Sequence, residues 1–259
     1  MEKYINFFNN YTNYYISIAK NDFQKLHINR KIEHSKRVNK ISIEIAQKLG
    51  LNEKEIYLIN ISSLLHDIGR FRQFYEYSTY IDKISCNHAL LGINILEEEK
   101  VLDYLKFDEK EIVLEIIKLH NYNSIPQNIS KELYTYASII RDADKIDWMY
   151  SMVNIIPNLS KENQMVFYSN KKDKNYISKE LVNAILNNEQ IIRSNLTTID
   201  ELRAAAMGWI TSDMKCSPSL EIIKRENLIN KTFDLISDSM EKKIIFEYIN
   251  NYIISKTSI

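Results

Sequence analysis

Glycine and proline are nearly absent from this chain. It has four glycines and three prolines in 259 residues, where an average domain carries roughly 12% of the two together. Few positions can take a positive φ and few can break a helix, so the spacing commits the chain to long helices with short connections: an all-α protein. The glycines, Gly50, Gly69, Gly92 and Gly208, are also too scattered for a GxGxxG fingerprint, a P-loop or a GxSxG elbow. Cys86 and Cys216 form no CxxC pair and are expected as two free thiols. The 34 basic and 34 acidic side chains cancel, which leaves no broad attraction for nucleic acid or an anionic membrane. The N-terminal stretch lacks the apolar core of a signal peptide, and no run approaches a membrane span of ~18 apolar residues. A cytoplasmic protein without a membrane partner is expected. Any helix face could serve as an oligomer contact, so no oligomeric state is read.

Helical periodicity runs along almost the whole chain. A first aromatic-rich helix is expected over 2–27. A second, over 33–49, places Val38, Ile41, Ile45 and Leu49 on one face, with Gly50 as its stop. Asn52 and Glu55 are spaced to form a reciprocal cap for a third helix ending near Asp67. A loop is expected over 69–85, then helices over 87–105, 108–121 and 130–154, with Pro126 between the last two. The segment 157–175 reads as a linker whose charge run, from Lys171 to Asn175, is solvated. Further helices are expected over 177–195, 199–213 and 219–255. The chain is thus divided into a core, 1–155, and a C-terminal helical extension, 156–259, expected as packing support and a wall of the site.

The chemistry lies in the histidines. His34 shares a helix face with Val38, Ile41 and Ile45, His88 with Leu91 and Ile95, and His120 with Val113 and Ile116. His66 closes a helix whose buried side includes Leu58 and Ile59. All four therefore point inward. Asp144 lies on an apolar stripe with Leu133, Ala137, Ile140 and Trp148, whereas Asp142 is expected to be exposed and Asp147 intermediate. His27, beside Asn29 and Arg30, is expected at the surface. Burying four imidazoles with Asp67 and Asp144 requires compensation, and divalent cations supply it: neutral rings coordinate and carboxylates balance charge. Six ligands exceed what one catalytic ion with open positions needs, and they suit two ions bridged by Asp67.

These residues resemble the HD-domain superfamily. The resemblance is carried by Arg30-x2-Glu33-His34-Ser35-x-Arg37-Val38, by Leu64-Leu65-His66-Asp67-Ile68-Gly69-Arg70 and by Asp142-Ala143-Asp144-Lys145. It spans about residues 30–150 and implies a helical bundle in which His34, His66, Asp67 and Asp144 bind a metal. His88 and His120 match the extra histidines of members that hold two. The segment Phe71-Arg72-Gln73-Phe74-x5-Tyr80-x-Asp82-x2-Ser85-x2-His88 is similar to bacterial proteins described only as HD-domain hydrolases. No Gly-Tyr-Pro motif follows His120, which argues against cyclic-dinucleotide substrates.

The activity implied is hydrolysis of a phosphate ester or anhydride of a small metabolite, nucleotides among them. Two ions would hold a bridging water and make hydroxide available near neutral pH. Mixed imidazole and carboxylate ligands accept Fe, Mn, Co, Ni or Zn, and the resemblance favours iron or manganese. Lys145, next to a ligand, and Arg70 and Arg72, just after the His-Asp pair, are the expected phosphate-binding cations. Asp67, Arg70 and Lys145 are the expected catalytic groups. The competing readings are a mixed-valent di-iron HD-domain oxygenase using the same ligands, and a nucleotide or metal sensor without turnover.

Overall fold

The computed structural model describes residues 1–168 and 171–257. Among them there is no β-strand, only an isolated bridge between Lys172 and Thr198, as an all-α chain requires. No helix is long and apolar enough to cross a membrane among the described residues. Two compact units are present, Met1–Asp144 and Lys145–Ile259. The division falls inside a helix, ahead of the 155/156 boundary expected from the sequence.

The first unit contains α1 (Glu2–Ser17), α2 (Asp22–Lys48), α3 (Glu53–Leu65), α4 (Gly69–Tyr77), α5 (His88–Glu98), α6 (Phe107–His120) and the first part of α7 (Lys131–Asn154). The single helix expected over 2–27 is two. The Asn21 side chain accepts from Gln24 N at 2.9 Å and starts a new helix, so α2 runs through Lys48 without a break. Its end is a Schellman motif: Gly50, at φ 73°, lets Leu51 N bond back to Ala46 O and Gly50 N to Gln47 O. The Asn52–Glu55 capping box forms and opens α3.

The expected loop over 69–85 is half wrong. Residues 69–77 form α4, because the chain turns through Ile68 without leaving helical geometry, with Ile68 N bonded to Leu65 O and Arg70 N to Asp67 O. Residues 78–87 form a loop with one 3-10 turn, Asp82–Ile84, and they are held from within. The buried Gln73 amide donates to Asp82, to Ser85 Oγ and to the Cys86 carbonyl, each at 2.9 Å. α4 and α5 cross backbone to backbone: a Cβ on Gly69 would lie 2.2 Å from the His88 carbonyl oxygen and 2.7 Å from Gly92 N. That contact sets the two residues after the His66-Asp67 pair against the first turn of the helix that begins with His88.

The second unit holds α8 (Lys161–Phe167), α9 (Lys179–Leu186), α10 (Ile199–Ser212), α11 (Ser217–Arg225), α12 (Leu228–Asp234) and α13 (Met240–Thr257). α10 is its centre. Ala204, Ala205, Ala206 and Gly208 are small and buried, so α9, α12 and α13 pack closely on it. The helices expected over 177–195 and 219–255 are shorter, since Asn188 and Asn227 adopt left-handed backbone at φ 54° and 53° and stop them. The expected linker is largely structured. It contains α8, and Lys172 is pinned by backbone bonds to Thr197 and Ile199, while its charge run is exposed over 172–175, as expected. Residues 169 and 170 of that linker lie outside the described residues. Both cysteines are free.

Candidate metal centre

The structure brings His34, His66, Asp67, His88, His120 and Asp144 together. They come from five places: His34 from mid-α2, His66 and Asp67 from the turn after α3, His88 from the first residue of α5, His120 from the last of α6, and Asp144 from α7. Asp67, nearly fully buried, is the hub. Its Oδ2 lies 3.3 Å from His34 Nε2 and 3.2 Å from His66 Nε2, and His34 Nε2 lies 3.2 Å from Asp144 Oδ1. Its Oδ1 lies 3.3 Å from His88 Nε2 and 3.7 Å from His120 Nε2. Ligand atoms of His34, His66 and Asp144 all fall within 4.8 Å of one another, as do those of His66, Asp67 and His120.

Three of the rings are fixed in one tautomer. The Nδ1 of His66 meets the Ser63 carbonyl at 2.7 Å, that of His120 meets the Ile117 carbonyl, and that of His88 meets the Asp82 carboxylate at 2.7 Å. A carbonyl or carboxylate oxygen only accepts, so each Nδ1 carries the proton and each Nε2 of a neutral ring presents a lone pair. Burial pushes His66 below the ordinary imidazole range. Burial and the Arg70 charge push His88 down to about 3, against the pull of Asp82. Two such nitrogens, His88 Nε2 and His120 Nε2, face each other at 3.0 Å. Between neutral rings that contact has no proton to share.

These observations fit a divalent cation. Asp67 Oδ1 and His66 Nε2 are buried without a hydrogen bond, a costly state that a metal relieves. His88 Nε2 and His120 Nε2, which face each other without a proton between them, would serve as ligands to such an ion. Asp67 is held ionised: burial opposes it, but the Lys31 charge, the His66 ring and contacts with His120 and His34 pull it well below the usual carboxylate range. For Asp144, too, burial is outweighed by His34, His66 and Lys31, so it stays ionised.

Asp82 supports the site from behind. It accepts from His88 Nδ1, from Arg70 Nη1 at 2.9 Å, from Gln73 and from Asn121 at 3.0 Å. These bonds overcome the cost of burial and hold it well below the usual carboxylate range. A carboxylate behind a ligating histidine fixes ring orientation and raises its basicity. In the sequence Asp82 stands within the Phe71-to-His88 segment that carries the resemblance, but its loop has no periodicity that would give it a role behind His88. Lys31, whose ammonium contacts Asp67 Oδ2, was missed as well. Its position, three residues before His34 on one helix face, could have identified it.

Arg70 faces the centre, with Nε 3.4 Å from Asp67 Oδ1 and Nη1 bonded to Gln73, the Tyr80 carbonyl and Asp82. Arg72 pairs with Glu76 on the exposed side of α4 at 3.0 Å. Lys145 follows Asp144 on α7 and pairs with Asp213 at 2.8 Å. Three expectations of exposure are corrected. His27 is buried, its ring packed against those of Phe23 and Phe74 with centroids 4.6 Å and 5.2 Å away, because α2 begins five residues earlier, at Asp22, and turns it inward. Asp142 is fully buried, as is Asp147, whereas the Asp144 side chain keeps 40% of its exposure. Residues 136–143 of α7 are buried in an unbroken run, so the helix has no solvent face where Asp142 was expected to use one.

Comparisons with curated proteins and with solved structures gave no match. Residues 32–149 match the family model described as HD domain. That span, a little under half of the chain, contains all six converging residues, and it is this part of the chain that is similar to the HD domain.

Proposed function

We propose that this chain hydrolyses a phosphate ester or anhydride of a small metabolite, a nucleotide being the first candidate, with two divalent ions sharing Asp67. One observation carries the reading: the two oxygens of one buried carboxylate face different histidines. Oδ2 faces His34 and His66, with Asp144 behind His34, and Oδ1 faces His88 and His120. When bound, the ions supply a Lewis acid for the phosphoryl oxygens and activation of water near neutral pH.

The residues around the site prepare it for that chemistry. Two carboxylates among neutral rings leave the protein two negative charges to set against two dications, so the loaded centre keeps a positive excess for an anionic phosphate. Asp82, the Ser63 carbonyl and the Ile117 carbonyl hold the Nδ1 protons of His88, His66 and His120 outward and their Nε2 lone pairs inward. Arg70, braced by Asp82 and Gln73, keeps its guanidinium beside Asp67. Of the six residues, Asp144 keeps the most exposed side chain, at 40%.

The test is elemental analysis of protein purified without chelator, followed by phosphate-release assays over nucleotides and sugar phosphates with Mn, Fe, Co, Ni and Zn. Two equivalents of metal and metal-dependent phosphate release support the reading. Oxygen consumption with reduced iron and no phosphate release would replace it with the di-iron oxygenase.

A further inference from the structure

The Lys31 ammonium contacts Asp67 Oδ2, the oxygen that His34 and His66 also face. A cation therefore already stands where a divalent ion would take this carboxylate. Lys31 comes from α2, one turn before His34. Its side chain keeps 17% of its exposure against 4% for Asp67, so it reaches in from the rim and is not sealed within. The ammonium also lies 6.0 Å from the centre of the Tyr80 ring, a second surface that tolerates a cation. An ammonium and a dication repel each other at one oxygen, so metal binding must displace the lysine. The displaced group stays tethered to α2 by a flexible four-carbon stem, without its carboxylate and beside the reacting centre.

We propose that Lys31 exchanges Asp67 for the substrate: it neutralises the carboxylate before metal loading and grips a phosphoryl oxygen afterwards. The inference rests on the metal-dependent reading above, and its test measures metal affinity apart from turnover. Lys31 is a substrate-binding residue on this account, and Arg70, already held by Asp82, a positioning one.

The experiment titrates Mn²⁺ by calorimetry into the chelator-treated full chain as wild type, Lys31→Met and Lys36→Met. Lys36 lies on the same helix but is exposed and paired with Glu33, so it controls for loss of one charge. Lys31→Met should bind Mn²⁺ about tenfold more tightly, since a partly buried ion pair no longer has to be broken. Lys36→Met should match wild type. Inorganic phosphate should then bind the Mn-loaded Lys31→Met about tenfold more weakly, the loss expected for one hydrogen bond to a charged group. Lys31→Gln should behave as Lys31→Met does, and Lys31→Arg should restore part of the phosphate affinity. Unchanged or weaker Mn²⁺ binding in Lys31→Met, or unchanged phosphate binding, overturns the exchange while leaving the metal centre standing. A wild-type chain that takes up no Mn²⁺ overturns both.

Discussion

Replacing Gly69 by alanine should cost the protein its metal more than its fold. Gly69 opens α4 two residues after Asp67, and its absent Cβ would lie 2.2 Å from the His88 carbonyl oxygen and 2.7 Å from Gly92 N. Ordinary contact begins near 3.4 Å, so the His88 backbone must retreat by the difference, 1.2 Å. Both obstacles are backbone, which cannot rotate away. Such overpacking costs about 1–3 kcal/mol, or roughly 2–4 °C in Tm per kcal/mol for a chain of this size. The shift also acts on the 3.3 Å approach of His88 Nε2 to Asp67 Oδ1, and metal ligands tolerate about 0.2 Å. The expected result is Mn²⁺ affinity lowered at least ~100-fold, the scale set by a 1 Å misplacement in a preorganised site. Gly50→Ala is the contrast. Gly50 has a positive φ but nothing within 4 Å of its missing Cβ, so alanine there should cost about 1–2 kcal/mol of backbone strain and leave metal binding unchanged. Thermal melts and Mn²⁺ calorimetry on both variants decide the matter. Wild-type affinity in Gly69→Ala, or equal loss in Gly50→Ala, refutes the packing argument.

Three further outcomes are expected. Asp82→Asn keeps the shape of the side chain but removes the charge behind His88, and calorimetry should show metal affinity falling about 10–100-fold. His66→Ala and Asp67→Ala should each lose both bound metal by elemental analysis and phosphate release, and activity surviving in either would remove the proposed mechanism. The chelator-treated protein should lose stability as pH falls below 6.5. His88 stays neutral in the fold down to about 3, whereas the unfolded imidazole takes up a proton near 6.5. The stability is complete above the unfolded value and drains away as pH falls toward the folded one. At pH 5 the loss from His88 is roughly 2 kcal/mol, from 1.36 kcal/mol per pH unit. His66 is shifted the same way and adds to it. Asp67 and Asp82 are shifted down and give way only below the ordinary carboxylate range. Urea melts at pH 7 and pH 5 measure the effect, and a flat profile would contradict it.

The parts of this molecule that follow from local rules are those visible in its sequence. Gly50 as a helix stop and Asn52 with Glu55 as a cap depend on a few adjacent residues, and both are present. The inward direction of His34, His66, His88 and His120 follows from their apolar neighbours one turn away, and the structure brings these rings together. Periodicity fails where burial no longer divides a helix into two faces. Along 136–143 of α7 every residue is buried, so the face that should have exposed Asp142 does not exist. It fails again outside helices. Asp82, Ser85 and Cys86 are placed by Gln73 and Arg70 on another element, a tertiary arrangement that periodicity does not carry, although Asp82 and Ser85 stand in the segment that carries the resemblance. Lys31 was legible by its spacing to His34, but a lysine on a polar-looking turn reads as solvent-facing until its partner across the bundle is known.

The shared carboxylate is the claim on which the rest depends. Anomalous scattering from crystals grown with manganese tests it most directly. The account predicts two peaks less than ~4 Å apart, one beside Asp67 Oδ2 with His34, His66 and Asp144, the other beside Oδ1 with His88 and His120. A single peak, or two that do not share Asp67, would contradict it.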